Sequence, residues 1–243
     1  MSVGGPARFF VEAADEAAVL AALRWAQERG VDLHVLGGGS NLVVADAGVA
    51  GLVVRVVLRG VSSREAGGGV EVTAAAGEAW DALVAHAVER GWAGLECLSG
   101  IPGLVGATPI QNVGAYGQEV SQTVTAVRAL DRRTGDFVNL APEDCGFGYR
   151  ASRFKSGEPD RFIVLSVTYR LIPAGAPAVR YADLERDLAR RGIAKPSLAD
   201  VRASVLAIRR SKSMVLDPDD PNRRSCGSFF LNPVVDQATL ERV

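Results

Sequence analysis

Residues 100–120, GIPGLVGATPIQNVGAYGQEV, constrain the fold of this chain more than any other segment. They contain five glycines and two prolines, yet they keep apolar side chains throughout. Glycine allows positive φ angles and a close approach of the backbone to a ligand, whereas proline stiffens the chain. A loop of this length in a compact domain is uncommon unless it is functional or disordered, and the apolar content argues against disorder. The segment therefore predicts a backbone clamp for a phosphate or a flat ring system, with a long surface loop as the alternative.

A second glycine-rich motif, LGGGSN, occupies residues 36–41 after a short predicted strand. Three consecutive glycines leave N–H donors for an anion, and the side chains of Ser40 and Asn41 can add hydrogen bonds. Taken alone, the motif fits a flexible turn equally well. The following NLVVAD is predicted to continue as a strand rather than to open a helix, which disfavours a Rossmann dinucleotide site.

Composition excludes several classes of protein. The 243 residues carry 27 basic and 28 acidic side chains, so no broad nucleic-acid-binding surface is expected. Three widely spaced cysteines and two histidines argue against a disulfide framework, a zinc site and a Ser-His-Asp triad. No apolar run is long enough to cross a membrane and no signal peptide is recognisable, so the sequence predicts a cytoplasmic protein without membrane insertion. It predicts no particular oligomeric state.

Hydrophobic periodicity predicts two successive units of mixed α and β structure. The first is a β-α-β-β unit with a helix over residues 15–29, ended by Gly30, and later strands over 33–36 and 51–58. The second starts after Gly60 with a polar, glycine-rich stretch at 62–69. Its other predicted elements are strands at 70–75, 124–130, 137–140 and 162–171, a hairpin turn at 134–136, and helices at 80–90, 181–191 and 197–210.

Two further motifs carry polar groups. FGYRASRFK, residues 147–155, places Tyr149 and Arg150 on a predicted loop with other cations nearby, and an exposed cationic edge is the alternative interpretation. The segment RRSKSMVLDPDDPNRRSCGSFFLNP, residues 209–233, contains Ser228 beside a glycine and two phenylalanines. A buried turn serine is the alternative there.

These four motifs, in this order, resemble the UDP-N-acetylenolpyruvoylglucosamine reductase (MurB) family of peptidoglycan precursor enzymes. The resemblance covers essentially the whole chain. It implies an α+β fold, namely a two-subdomain FAD-binding fold of the PCMH/vanillyl-alcohol-oxidase type plus the beginning of a MurB-type C-terminal substrate domain. The expected subdomains are residues 1–60 and 61–192, followed by a partial substrate-binding domain at 193–243.

The resemblance also implies a reaction, the reduction of UDP-N-acetylglucosamine enolpyruvate to UDP-N-acetylmuramate. FAD, bound non-covalently, and NADPH are the implied cofactors, and a UDP-sugar is the implied substrate. Arg150 is implied as a catalytic electrophile and Ser228 as a proton donor.

The resemblance assigns binding roles to two further groups of residues, and no metal ligand is expected. The implied FAD-binding residues are Leu36, Gly37, Gly38, Gly39, Ser40, Asn41, Gly100, Ile101, Pro102, Gly103, Gly106, Ala107, Gln111, Asn112, Gly114, Ala115, Gly117 and Tyr149. The residues implied to contact substrate or NADPH are Tyr116, Tyr181, Lys212 and Asn232.

The chain departs from the family pattern in two places. Leu231 stands where many relatives carry lysine, so one phosphate contact is expected to be absent. The family has a further half-domain with a catalytic glutamate, whereas this sequence ends at Val243 and the surroundings of Glu241 do not match. The alternative prediction is therefore a truncated, catalytically impaired FAD-binding protein. Another flavin oxidase of the same superfamily is a weaker alternative.

Overall fold

The computed structural model describes residues 3–224 and 235–242. The elements of the first unit are β1 (Ala7–Ala13), α1 (Glu16–Arg29), β2 (Leu33–Leu36) and β3 (Val49–Val56). Its strands form a parallel three-stranded sheet of order β1-β3-β2, which is followed along the chain by an antiparallel sheet. Asp15 caps α1 by accepting from the Ala18 N–H at 2.7 Å, and Gly30 ends the helix at a φ of 60°. The predicted helix is confirmed.

The second sheet contains six strands. Its strands and the accompanying helix are β4 (Val61–Ala66), β5 (Gly69–Ala75), α2 (Trp80–Glu89), β6 (Trp92–Ala93), β9 (Val124–Asp131), β10 (Phe137–Leu140) and β11 (Phe162–Pro173). The order of the sheet is β10-β9-β11-β5-β4, with β6 paired to β11. Between β6 and β9 lie two short strands, β7 (Gly114–Ala115) and β8 (Gln118–Glu119), which form a separate two-stranded sheet in the described part of the chain. The predicted turn between β9 and β10 is confirmed by the antiparallel pairing of Phe137 with Leu130.

One strand was not predicted, and one local prediction was wrong. Residues 61–66, which overlap the polar, glycine-rich stretch at 62–69, form the edge strand β4, whose side chains are almost all exposed and therefore show no apolar alternation. Residues 41–46, expected to continue as a strand, lie outside every strand. Leu42 and Val43 are more than half exposed, so their apolar character reflects no packing against a sheet.

The two sheets share one hydrophobic core cluster. Val19 and Leu23 of α1 and Val54 of β3 pack in the same cluster as Leu130 of β9 and Ile163 of β11. Across the same boundary, Arg128 of β9 donates two hydrogen bonds to Glu16 of α1 at 2.6 and 2.8 Å. Apolar burial and ion pairing therefore hold the two sheets against each other.

Helices complete the described chain. They are α3 (Ala182–Arg190), α4 (Leu198–Ser211) and the short α5 (Gln237–Leu240). The predicted capping pattern at α4 is confirmed, because Ser197 and Asp200 exchange side-chain and backbone hydrogen bonds. Leu184 and Leu188 of α3 pack with Val201 and Val205 of α4, so the subdomain boundary predicted after residue 192 falls between two helices in contact. In the described part of the chain, no helix combines the length and apolar character needed to cross a membrane.

Candidate functional site

The long glycine loop, residues 100–120, is largely folded into the protein. It contains a 3-10 turn at Val105–Ala107 and the β7–β8 hairpin. Val105 and Thr108 are buried, and the Thr108 hydroxyl lies 2.7 Å from the hydroxyl of the fully buried Tyr169 on β11. The surface-loop alternative therefore does not describe this segment.

The triple-glycine loop, residues 36–41, meets the long glycine loop. The Ser40 hydroxyl donates to the Pro102 carbonyl at 3.3 Å, and the Asn41 amide donates to Gln111 at 3.0 Å. A Cβ placed on Gly38 would lie 3.0 Å from the Gly103 Cα, so the two backbones touch where neither residue has a side chain. Two segments more than 60 positions apart in sequence thus form one surface.

This surface offers hydrogen-bond donors. Within the described residues, the backbone N–H groups of positions 37–41 donate to no other group of the protein. Successive unpaired N–H groups on a glycine turn form a concavity that binds phosphate oxygens. The donor set and the side-chain-free backbone both fit the diphosphate of a dinucleotide cofactor.

A third motif joins the same loop. Gly148 and Ala151 exchange backbone hydrogen bonds at 3.0 and 3.1 Å, closing a tight turn, the Tyr-Arg turn (residues 148–151). Arg150 has a positive φ of 49°, and its guanidinium lies 5.8 Å from the Tyr149 ring. The buried Asn112 of the long glycine loop donates to the Gly148 carbonyl at 3.0 Å, which fixes the turn against that loop.

The other two cations of this motif have different environments. Arg153 pairs with Glu158 at 2.5 Å and donates to the Asp144 carbonyl, so it holds the local fold. Lys155 donates to the Arg150 carbonyl at 3.1 Å in an exposed contact. The cationic-edge interpretation therefore suits Lys155 better than Arg153.

The hairpin end of the long glycine loop carries an aromatic pair. Tyr116 and Gly117 form the turn between β7 and β8 with positive φ angles of 49° and 81°. A positive φ at tyrosine is strained, so the surrounding structure must hold it. The Tyr116 ring packs edge-on against the Tyr181 ring at 5.4 Å. Nearby, Lys212 donates to Asp183 at 3.0 Å. The structure thus brings Tyr116, Tyr181 and Lys212 to one place.

Arg209 belongs to this group of side chains, although the sequence did not single it out. It is 9% exposed and donates to the Met214 carbonyl, while within the described residues its Nε has no hydrogen-bond partner. Burial lowers the pKa of Arg209, whereas Tyr116 and Asp81 raise it. Burial raises the pKa of Tyr116, and the charges of Arg209 and Lys212 oppose that rise. The three-residue spacing of Arg209 and Lys212 was the available signal, because it places both cations on the same side of the C-terminal end of α4, where Lys212 is the cap.

Asp81 of α2 links the start of the long glycine loop to α4. Its Oδ1 accepts from the Gly100 N–H and from Arg202, both at 2.6 Å, and its Oδ2 accepts from Arg202 at 2.9 Å. Burial alone would raise the pKa of Asp81, but the hydrogen bonds from Arg202 and Gly100 hold it below its usual value. Asp81 therefore fixes the start of the long glycine loop against α4, the helix that carries Arg209.

Replacing Asp81 by asparagine is expected to lower the urea midpoint of unfolding at about pH 6 and to matter less in acid. Because the pKa of Asp81 is lowered by folding, its stabilisation is complete above the ordinary value of 3.8 and disappears as the pH falls through the lower, folded-state value. Urea unfolding of both proteins at several pH values measures the difference. A double variant with Arg202→Gln should lose no more than either single variant, whereas additive losses would show that the pair does not act as a unit.

Two predicted residues, Ser228 and Asn232, lie outside the described residues, as does Leu231. Their roles remain predictions.

Comparisons with known proteins agree with this geometry. Residues 7–141 match the family model of the FAD binding domain. The chain is 51% identical over 245 aligned positions to a UDP-N-acetylenolpyruvoylglucosamine reductase of Saccharopolyspora erythraea, and 50% identical over 246 to one of Salinispora arenicola. The alignments cover this whole chain and 66% and 67% of those relatives. The chain belongs to the UDP-N-acetylenolpyruvoylglucosamine reductase family.

Solved structures confirm the fold prediction for this family member. The MurB structure from Thermus caldophilus matches 95% of this chain and 70% of its own with a TM-score of 0.65 at 28% identity. 6-Hydroxy-D-nicotine oxidase from Arthrobacter nicotinovorans matches 70% of this chain and 38% of its own with a TM-score of 0.52 at 20% identity, a likeness of fold alone. The α+β FAD-binding fold and FAD as cofactor are confirmed. The chain spans about two thirds of the length of the curated relatives it matches.

Proposed function

We propose that this protein reduces UDP-N-acetylglucosamine enolpyruvate to UDP-N-acetylmuramate, with NADPH as the source of hydride. The observation that carries the proposal is the position of the long glycine loop among the other motifs. It contacts the triple-glycine loop on one side, the Tyr-Arg turn through Asn112, and the cluster around Tyr181 through Tyr116. The long glycine loop thus joins two places. One is the triple-glycine loop, here called the diphosphate cradle. The other, the cationic end, is formed by Tyr116, Tyr181, Arg209 and Lys212.

The cradle would hold FAD without a covalent bond. The N–H groups of residues 37–41 would bind its diphosphate, and the glycine backbone at Gly38 and Gly103 would let it approach. When bound, FAD supplies hydride transfer between NADPH and the double bond of the enolpyruvyl group.

Two side chains would act on the substrate. The Arg150 guanidinium would stabilise the negative charge that spreads onto the substrate carboxylate, because a fixed planar cation interacts more strongly as that charge grows. The Ser228 hydroxyl would protonate the carbon next to that carboxylate. Asn232 would contribute to the same substrate contacts.

The cationic end would bind phosphate. Arg209 and Lys212 lie beside Tyr116 and Tyr181, and together they present positive charge and aromatic faces. Such a surface suits the diphosphate and ring of a UDP-sugar or the phosphates of NADPH. The proposed reaction would take place in the cytoplasm, as the family resemblance implies.

The proposal predicts a sequence of absorbance changes in the purified protein. Under anaerobic conditions, NADPH should bleach the flavin band, and UDP-N-acetylglucosamine enolpyruvate should then restore it. UDP-N-acetylglucosamine serves as the matched control, because it lacks the enolpyruvyl double bond and should restore nothing.

The remaining outcomes separate the alternatives. Bleaching without recovery would contradict the full reaction and support the impaired FAD-binding protein. A preparation that binds no flavin even after incubation with FAD would contradict both functions.

A further inference from the structure

Glu96 is a buried carboxylate outside the set of residues considered so far. It begins the 3-10 helix Glu96–Leu98, which leads directly into the long glycine loop, and it is 1% exposed. It accepts three hydrogen bonds, from the Gly94 N–H at 2.8 Å, the Gln118 amide at 2.9 Å and the Ala178 N–H at 2.8 Å. Carboxylate oxygens accept hydrogen bonds, so this side chain suits three converging donors.

The next residue, Cys97, completes the same network. Its N–H donates to the Gln118 side-chain oxygen at 2.8 Å, and its thiol donates to the Ala178 carbonyl at 3.0 Å. The Gln118 side chain therefore uses both of its polar atoms, and Ala178 uses both of its backbone groups. A largely buried network in which each of these groups has a partner resists displacement.

The two segments held by Glu96 carry the aromatic pair. Gln118 lies two residues after Tyr116, and Ala178 lies three residues before Tyr181. Tyr116 sits at a strained positive φ, so the hairpin must be held from elsewhere. Glu96 supplies that restraint, since its Oε1 accepts from both segments at once.

We infer that Glu96 is a positioning residue, which fixes the separation of Tyr116 and Tyr181 by binding Gln118 and Ala178. This inference rests on the proposed function in one respect, because the aromatic pair is taken to contact the UDP-sugar. Among the described residues, the hydrogen bonds of the Glu96 carboxylate join it to neither tyrosine, so it acts through the two segments.

Glu96→Gln tests the inference with almost no change in shape. Wherever the new NH₂ group points, it faces an N–H donor, either that of Gly94 or those of Gln118 and Ala178. Glu71→Gln is the matched control, because Glu71 is also buried, at 8% exposed, but binds Arg64 and Arg170 instead of Gln118 and Ala178.

The first readout is hydrogen–deuterium exchange of residues 174–181 in the protein without substrate. We expect this exchange to rise about tenfold or more in Glu96→Gln and to stay unchanged in Glu71→Gln. The second readout compares the KM for the UDP-sugar with the rate at which NADPH bleaches the flavin. The KM for the UDP-sugar should rise about tenfold, while bleaching of the flavin by NADPH should stay within about twofold of the original rate.

Each result has a defined meaning. Unchanged exchange in residues 174–181 of Glu96→Gln, or an equal rise in Glu71→Gln, would overturn the inference. If the unaltered protein does not turn over the UDP-sugar, the proposed function fails, while the exchange comparison still decides the role of Glu96.

If Glu96→Gln does not fold, Gln118→Ala replaces it. That variant should loosen residues 114–119 more than residues 174–181, and the reverse order would contradict the network.

Discussion

Replacing Gly38 by alanine is expected to weaken FAD binding by about tenfold or more, which corresponds to about 1.4 kcal/mol. The added methyl group would lie 3.0 Å from the Gly103 Cα, a backbone atom that cannot turn aside as a side chain can. The two glycine-rich loops would have to separate by a few tenths of an ångström, which displaces the N–H donors of residues 37–41. Titration of the apoprotein with FAD, followed by flavin fluorescence, measures the change.

Gly157→Ala provides the control for that experiment. Among the described residues, its methyl group would approach no atom closer than 3.6 Å; its φ is not positive, and it lies outside both glycine-rich loops. The FAD affinity of this variant should match that of the unaltered protein. An unchanged affinity in Gly38→Ala would show that contact between the two loops does not shape the cofactor site.

The elements that could be predicted from the sequence have local causes. Helix α1 begins at the Asp15 cap and ends at Gly30, and α4 begins at the reciprocal pair Ser197 and Asp200. Each signal operates within one helical turn, so the residues alone are sufficient. Strand β4 has no such signal, because an exposed edge strand needs neither apolar alternation nor a cap.

The residues of the candidate site also fall into those that the sequence reveals and those that only the fold reveals. The glycine-rich motifs could be identified because a side-chain-free backbone is visible in the sequence. The partners that hold them could not, because Asp81 reaches Gly100 and Arg202 only after α2, the loop and α4 have packed together. The same applies to Glu96, because two of its donors, Gln118 and Ala178, come from distant segments. Long-range hydrogen bonds of this kind follow from the fold and leave no periodic pattern.

Replacing Arg150 by alanine is expected to lower turnover of UDP-N-acetylglucosamine enolpyruvate by about 100- to 1,000-fold, the usual effect of losing a donor to developing negative charge. Arg150 stands on a tight turn that Asn112 ties to the long glycine loop, so its backbone position is fixed relative to the cofactor cradle. Bleaching of the flavin by NADPH should be nearly unchanged, because that step precedes the charge development on the substrate. Stopped-flow measurement of the two steps separates them.

Two further variants decide what the guanidinium contributes. Arg150→Lys keeps the positive charge and the strained φ of 49° but loses the planar pair of donors, so it should recover only part of the activity. Lys155→Ala removes a cation from the same motif, and it should leave turnover within about twofold of the original if charge alone is not the requirement. Equal losses in Arg150→Ala and Lys155→Ala would instead favour a diffuse cationic edge that attracts the substrate. In that case the loss would appear in KM and would shrink at high salt, whereas a specific contact of Arg150 lowers kcat at every ionic strength.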